Sequence, residues 1–177
     1  MHFEVEHVIR IPFDKYFETV LSEKFNLWVK NRLKVAERAI VRHEEVAGKI
    51  HRTLRVETDL SERARKWLKV NRLIIDENMV IDKATNSYTW EYIPNVGVKR
   101  FTASGTGRIA PSGEHVKRTI AGDITVRFAI IGSRIEKRLV EWAKNNMGKA
   151  GEMLEEYHRG LSPTPAANDP GPDFDIG

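Results

Sequence analysis

The chain has 177 residues, of which 41% are hydrophobic and 31% charged, a balance that fits one globular domain with a buried core and excludes a disordered chain. The absence of cysteine excludes disulfides, thiolate metal sites and thiol catalysis. The formal charge is +4, and because Asp169, Asp173 and Asp175 all follow the last basic residue, Arg159, the body is more basic than the whole, which suits an anionic surface and suits plain solubility equally.

Residues 3–11 alternate, with Phe3, Val5, His7, Ile9 and Ile11 on one face of a strand that Pro12 ends. A short helix is predicted over residues 13–21, its apolar stripe formed by Phe13, Phe17, Val20 and Leu21. Ser22 is the candidate N-cap of a second short helix that turns Phe25, Trp28 and Val29 inward. The period then changes to two. Strands are predicted at residues 35–46, 50–58, 73–81, 87–93, 99–109 and 114–128, with turns at Gly48-Lys49, at residues 83–86 and at Pro111-Ser112-Gly113. Short links between such strands imply an antiparallel meander. From 131 to 157 the apolar positions recur at helical spacing: Ile135, Leu139, Trp142, Ala143, Met147, Ala150, Leu154 and Tyr157. Residues 160–177, rich in Pro, Gly and Asp, are expected to form a disordered tail, so the domain is expected to span residues 1–159. No apolar run reaches the roughly 20 residues of a membrane-spanning helix. Residues 1–6 show no secretory signal, and a cytoplasmic location is the default expectation.

This order of elements resembles the START-like (SRPBCC, helix-grip) superfamily over residues 1–159. The resemblance is carried by Glu6-His7-Val8-Ile9-Arg10-Ile11-Pro12, by the Gly48-Lys49 hairpin and by the helix entered from Ile130-Ile131-Gly132. Within that group the chain is most similar to an uncharacterised bacterial family of START-like domains (DUF2505-like). It is more weakly similar to PRELI-type phospholipid-transfer proteins, which also open with a strand around Glu-His and run through a Gly-Lys hairpin. The resemblance implies an α+β helix-grip fold: a curved antiparallel sheet, two short helices after the first strand, and a long C-terminal helix packed across the sheet. It also implies a cavity between sheet and helix. Many members bind lipids, sterols or other apolar molecules; a minority are cyclases or hydrolases, and the fold does not choose among these.

Candidate lining residues follow from the strand faces. Tyr88, Trp90 and Tyr92 share one face and offer apolar walls with polar tips, or serve as ordinary cross-strand aromatics. Phe101 shares a face with Gly105 and Gly107; the glycines either leave room under the helix or mark bulges. Arg118, Ile120 and Phe128 come from the last strand, and Ile135, Leu139 and Trp142 from the long helix. Arg52 and Arg118 each interrupt an apolar face, so each needs an anionic partner: a ligand phosphate or carboxylate, or Glu77. Gly148 and Gly151 interrupt the long helix, through close backbone approach to the sheet or through local softness.

Residues 61–72 join two strands and gather Arg63, Arg65, Lys66 and Lys69 around Trp67 and Leu68. That composition suits contact with an anionic bilayer, or a helical turn packed on the sheet edge with its charges in water. No phosphate loop, metal-spaced histidine pair or nucleic-acid motif is present in the sequence. The expected function is binding, with transfer as an extension, of a lipid or other apolar small molecule, with weak contact to an anionic membrane, no nucleic-acid partner, no metal and no cofactor. The alternatives are a cyclase- or hydrolase-type enzyme using His7, Glu77 and Tyr88 as acid and base, or a regulatory or chaperone-like module with a vestigial pocket.

Overall fold

Seven antiparallel strands form one open, curved sheet in the order β1-β7-β6-β5-β4-β3-β2 in the computed structural model, which describes residues 1–62, 65–66, 69–97, 100–127 and 132–163. The strands are β1 (His2–Ile9), β2 (Glu37–Val46), β3 (Lys49–Asp59), β4 (Arg72–Asp82), β5 (Ser87–Pro94), β6 (Phe101–Ser112) and β7 (His115–Val126). Two short helices, α1 (Lys15–Leu21) and α2 (Glu23–Leu33), follow β1, and the long helix α3 (Gly132–His158) closes the fold. The expected α+β helix-grip architecture is therefore present. The meander runs from β2 to β7, and β1 returns to pair with β7.

Local chemistry explains the joints. The Ser22 hydroxyl accepts a hydrogen bond from the Phe25 backbone N–H at 3.1 Å, so Ser22 caps α2 as predicted. Below it, Phe25, Trp28 and Val29 are buried. The β2–β3 turn is one residue earlier than expected. Ala47 and Gly48 hold φ of 51° and 75°, and Lys49 already pairs with Val46, as in the two-residue turns whose twist matches that of the strands. Pro111 likewise belongs to β6, paired with Val116, and the β6–β7 turn is Gly113-Glu114. β1 stops at Ile9, two residues early, yet Ile11 remains fully buried beyond it.

The first helix departs most from expectation. Its buried residues are Tyr16 and Thr19, while Phe17, Val20 and Leu21 are only partly buried against the core. The inward position of Tyr16 is explained by its hydroxyl partners, described below.

The register lines up residues across the sheet. One inward row runs Arg52, Met79, Trp90, Gly105, Gly122 and Phe3 through β3, β4, β5, β6, β7 and β1. The glycines neither leave open room nor mark a bulge, since the β5–β6 and β6–β7 registers are unbroken. A methyl group at Gly122 would lie 2.3 Å from the Trp90 ring, and one at Gly107 would lie 2.0 Å from the Tyr88 ring. The rings from β5 fill the space the glycines leave. The one register shift in the sheet as described falls between Ile40 and Arg42, where β2 holds an extra residue, Val41.

α3 lies against β1 and β7, and its last turns meet α2. Tyr157 stacks edge-on against Phe25 at 5.1 Å and Trp28 at 5.9 Å, and Arg32 pairs with Glu156 at 3.1 Å. The Trp28 indole donates to the Leu161 carbonyl at 2.9 Å, which ties the chain down just after the helix. At the other end, the Glu136 carboxylate accepts from the Val126 backbone N–H at 2.7 Å. Among the described residues no helix is long and apolar enough to cross a membrane.

The two helix glycines face the sheet and differ in the space around them. A methyl at Gly148 would meet His7 at an ordinary 3.6 Å, whereas one at Gly151 would lie 3.3 Å from Ile9, a side chain only 1% exposed and unable to yield. Gly148→Ala should therefore stabilise the fold by about 1 kcal/mol through helix propensity. Gly151→Ala should gain nothing or lose stability, because crowding cancels the same propensity gain. Thermal melts of the two single variants check this, and equal gains at both positions would refute the close approach at Gly151.

Candidate ligand-binding site

The inward faces of β3, β4 and β5 lie beyond the strands on which α3 rests. At the end of the sheet near the start of α3, Val56, Ile75, Glu77, Tyr92 and Phe101 point inward but are only partly buried. At the opposite end Ile50, Ile81, Tyr88 and Ile109 are fully buried. The inward face of the sheet is thus less covered at one end, the mouth, than at the other, the floor. A separate surface cleft of about 430 Å³ lies at the floor end, outside, between Arg10, Pro12, Phe13, Glu114 and His115.

Two arginines sit on the inward face of the sheet. Arg52 is 3% exposed and Arg118 4%, and among the described residues neither has a carboxylate within ion-pair distance. The expected pairing of either with Glu77 does not form, because Glu77 lies 3.8 Å from Arg38 instead. Arg52 donates through Nη1 to the Val20 carbonyl at the end of α1. Arg118 donates through Nη2 to the Met147 carbonyl in mid-α3. Gly151, one turn further on, lies beside the same guanidinium: a methyl there would stand in ordinary contact, 3.6 Å from Arg118 Nη2. Helix carbonyls are partial negative charges at best, so both cations remain without a full counter-charge. Burial lowers the Arg52 pKa to about 10, repulsion from Arg38 adds to the effect, and Glu77 opposes it.

Three tyrosines surround Arg118. The Tyr16 hydroxyl is within hydrogen-bonding reach of both Arg118 and Tyr88. Tyr92 lies close enough to Glu77, Arg38 and Arg118 to sense all three charges, so it joins the Arg38–Glu77 side of the space to the Arg118 side. Burial pushes the phenols of Tyr88 and Tyr92 well above their ordinary range, which leaves them as hydrogen-bond donors rather than bases near neutral pH. Arg38 is placed by the start of β2: its backbone carbonyl accepts from Asn26 Nδ2 at 3.0 Å, and the neighbouring Glu37 pairs with Lys30 at 2.8 Å.

The structure gathers most of the residues singled out in the sequence. Tyr88, Trp90, Ile120 and Leu139 belong to one buried cluster, and Tyr92, Phe101 and Trp142 pack against it. Arg118 lies in the same space, opposite Ile109 and His7 across its neighbouring strands. Phe128 and the side chain of Ile135 lie outside the described residues. Sequence reasoning missed Tyr16, Arg38 and the Met147 carbonyl. Tyr16 carried a weak signal, as a polar-tipped aromatic in a helix that must pack on a strand face containing Arg118.

The basic segment is described only in part, with Arg63, Trp67 and Leu68 outside the described residues. Arg65 donates through its side chain to the Leu60 carbonyl at 2.8 Å, Lys66 pairs with Glu62 at 3.0 Å, and Lys69, at φ 57°, donates its backbone N–H to the Arg65 carbonyl at 2.9 Å. Among the described residues no group of acidic or histidine side chains could hold a metal ion.

His7 stands beside Arg118 and under Gly148, with its Nδ1 buried and unpaired. Burial first, and the Arg118 charge second, lower its pKa from the ordinary 6.5. Below that value the unfolded chain binds more protons than the folded one. Stability contributed by neutral His7 is therefore full above about pH 6.5 and is lost progressively as pH falls toward the lowered folded value. His7→Phe should flatten the dependence of the melting temperature on pH below about 6.5; an unchanged slope would show that His7 titrates as it does in water.

Comparison with known proteins places this arrangement. No curated relative matches the sequence. Among solved structures, TTHA0849 from Thermus thermophilus superposes with a TM-score of 0.63 at 15% identity, covering 90% of this chain and 98% of that one. The Zhui aromatase/cyclase from Streptomyces sp. R1128 gives 0.58 at 13% identity, covering 90% and 92%. A START superfamily protein from Mycobacterium smegmatis gives 0.58 at 13% identity, covering 91% and 99%. At such identities these structures establish the fold alone. The family description "Protein of unknown function (DUF2505)" matches residues 4–157, nearly the whole described fold, and the chain belongs to that family, with a START-like helix-grip architecture.

Proposed function

We propose that the protein captures an apolar or amphiphilic small molecule between the sheet and α3, and that it is a carrier or sensor rather than a catalyst. The observation that carries this reading is the uneven cover of the sheet. α3 rests on β1 and β7, while inward-pointing Val56, Ile75, Met79 and Phe101 are left only partly buried. Apolar side chains that point inward yet meet water favour an occupant, and each buried Å² of apolar surface contributes roughly 25 cal/mol. The START superfamily protein and the aromatase/cyclase with the same architecture lend support by analogy. The acid–base alternative is less well supported: His7 stands beside Arg118, Glu77 beside Arg38, and Tyr88 with Tyr16, while burial removes Tyr88 from service as a base. Lipid as the ligand class, transfer between membranes, and Tyr88, Trp90, Tyr92, Phe101, Ile120, Leu139 and Trp142 as its lining are parts of the same proposal.

A fluorescent fatty-acid or phospholipid probe should bind saturably at one site. Trp142, whose indole body packs on the core, should matter for both stability and binding: Trp142→Ala should cost about 3 kcal/mol and weaken the probe. Non-saturable partitioning of the probe would defeat the reading.

The turn that carries Arg65, Lys66 and Lys69 has its charges at the surface and is proposed to dock weakly on anionic membranes. Substituting these three residues with Ser should lower co-sedimentation with anionic vesicles, more so at low salt, where screening is weaker. Equal binding to neutral and anionic vesicles would show that the charges play no part.

A further inference from the structure

Among the described residues, most of the buried polar atoms left without a partner are donors. Arg38 Nε, Arg52 Nε, Arg118 Nε, Trp90 Nε1, Trp142 Nε1 and Asn146 Nδ2 are all N–H donors. Against them stand Asn26 Oδ1 and His7 Nδ1, which can accept. Folded interiors pair nearly all such groups, and an unpaired buried donor costs about 1–3 kcal/mol. Charge has the same bias: three guanidinium groups, Arg38, Arg52 and Arg118, face one carboxylate, Glu77. Arg52 and Arg118 are each more than nine-tenths buried. A buried cation without a counter-ion is among the costliest arrangements in a protein interior. An interior rich in donors and positive charge is complementary to a molecule rich in oxygen acceptors and negative charge.

We infer that the ligand carries an oxyanion head, a carboxylate or a phosphate, which seats among the guanidinium groups of Arg118, Arg52 and Arg38, with its apolar part toward the mouth lined by Val56, Ile75 and Phe101. The inference rests on the reading that the space between sheet and α3 holds an apolar ligand, and it specifies the class of that ligand. Tyr92 lies within electrostatic range of Arg38, Glu77 and Arg118, so it stands between the Arg38 and Arg118 sides of the cationic interior and has a hydroxyl to donate. Tyr16 lies beside the Arg118 guanidinium. The fork of an arginine matches either kind of oxyanion through two parallel hydrogen bonds. A neutral apolar ligand would give the guanidinium groups no counter-charge.

Four decyl compounds with one chain and different heads test this on the full chain: decanoate, decyl phosphate, decanol and decyltrimethylammonium. Each competes with a neutral fluorescent probe at mildly alkaline pH, where both anions are ionised. At least one anion should displace the probe about tenfold more effectively than decanol, a difference of about 1.4 kcal/mol, and the cation should be the weakest. Whichever anion is stronger identifies the head. Arg118→Met and Arg52→Met should each bring the anion-to-alcohol ratio toward one. The preference should survive high salt, because a buried contact is poorly screened. Equal displacement by decanol and the anions in the unmodified protein would overturn the oxyanion inference and leave apolar capture standing. Displacement by none of the four would overturn both. Should the variants fail to fold, the ratio in the unmodified protein still decides.

Discussion

The contact on which the arrangement depends is the one between Arg118, in the middle of β7, and the Met147 carbonyl, in the middle of α3. A guanidinium group on an inward strand face would ordinarily be excluded by its desolvation cost, several kcal/mol for an uncompensated ion. Here the cost is partly offset by a helix carbonyl, by Tyr16 and by the neighbouring Tyr88. Each of these partners demands something of the sequence. Gly151 lets α3 approach Ile9 closely on the strand beside β7, and Tyr16 is available because α1 turns a tyrosine rather than an aliphatic residue inward. Arg52 repeats the device on a smaller scale by bonding the last turn of α1. Two strands thus hold two helices through cation–carbonyl contacts, and the same two cations keep the interior electropositive.

A second constraint acts through shape. The rings of Trp90 and Tyr88 fill the space over Gly105 and Gly107 on the adjacent strand and Gly122 on the strand beyond, so bulk on β5 is matched by its absence on β6 and β7. Phe3 closes the row from β1, with its ring 6.1 Å from that of Trp90. This packing fills the side of the sheet beneath α3. The apolar surface left partly uncovered is on β3 and β4, where Val56, Ile75 and Met79 stand beside the Arg38–Glu77 pair. Apolar wall and ionic groups are therefore adjacent, which is the pattern an amphiphile requires.

Much of this was legible in the chain. The alternation of β1, the Ser22 cap, the meander and the long amphipathic helix all follow from side-chain period and turn chemistry, and they are where those rules put them. So is the burial of Arg52 and Arg118, because each interrupts an apolar alternation in a strand whose face has no other way to turn. The partners of those arginines were not legible. Glu77 has the right charge and face, but it lies across the sheet from Arg38, at the start of β2, before the extra residue at Val41 changes the register. Helix carbonyls leave no trace in a sequence pattern at all. Tyr16 was hidden by the weight that periodicity gives to Phe13, Phe17, Val20 and Leu21, since a count of apolar positions does not register the need for a buried hydroxyl. The glycines of β6 and β7 declared an absence but not what would fill it, since the filling rings come from a different strand.

The pairing of β1 with β7 has a consequence for how the molecule is made. His2 lies opposite Asp123, 121 residues away, and α3 rests on that same pair of strands. On the ribosome the meander from β2 to β6 can form from neighbours in sequence, but β1 emerges first and waits for its partner until β7 has been synthesised. Contacts of such long sequence separation close late and slow the search for the native state. Until then the inward side chains of β1, Phe3 and Ile9 among them, have no sheet to join and present an unpaired strand to other chains, the interval in which a helper that shields extended apolar segments would matter most.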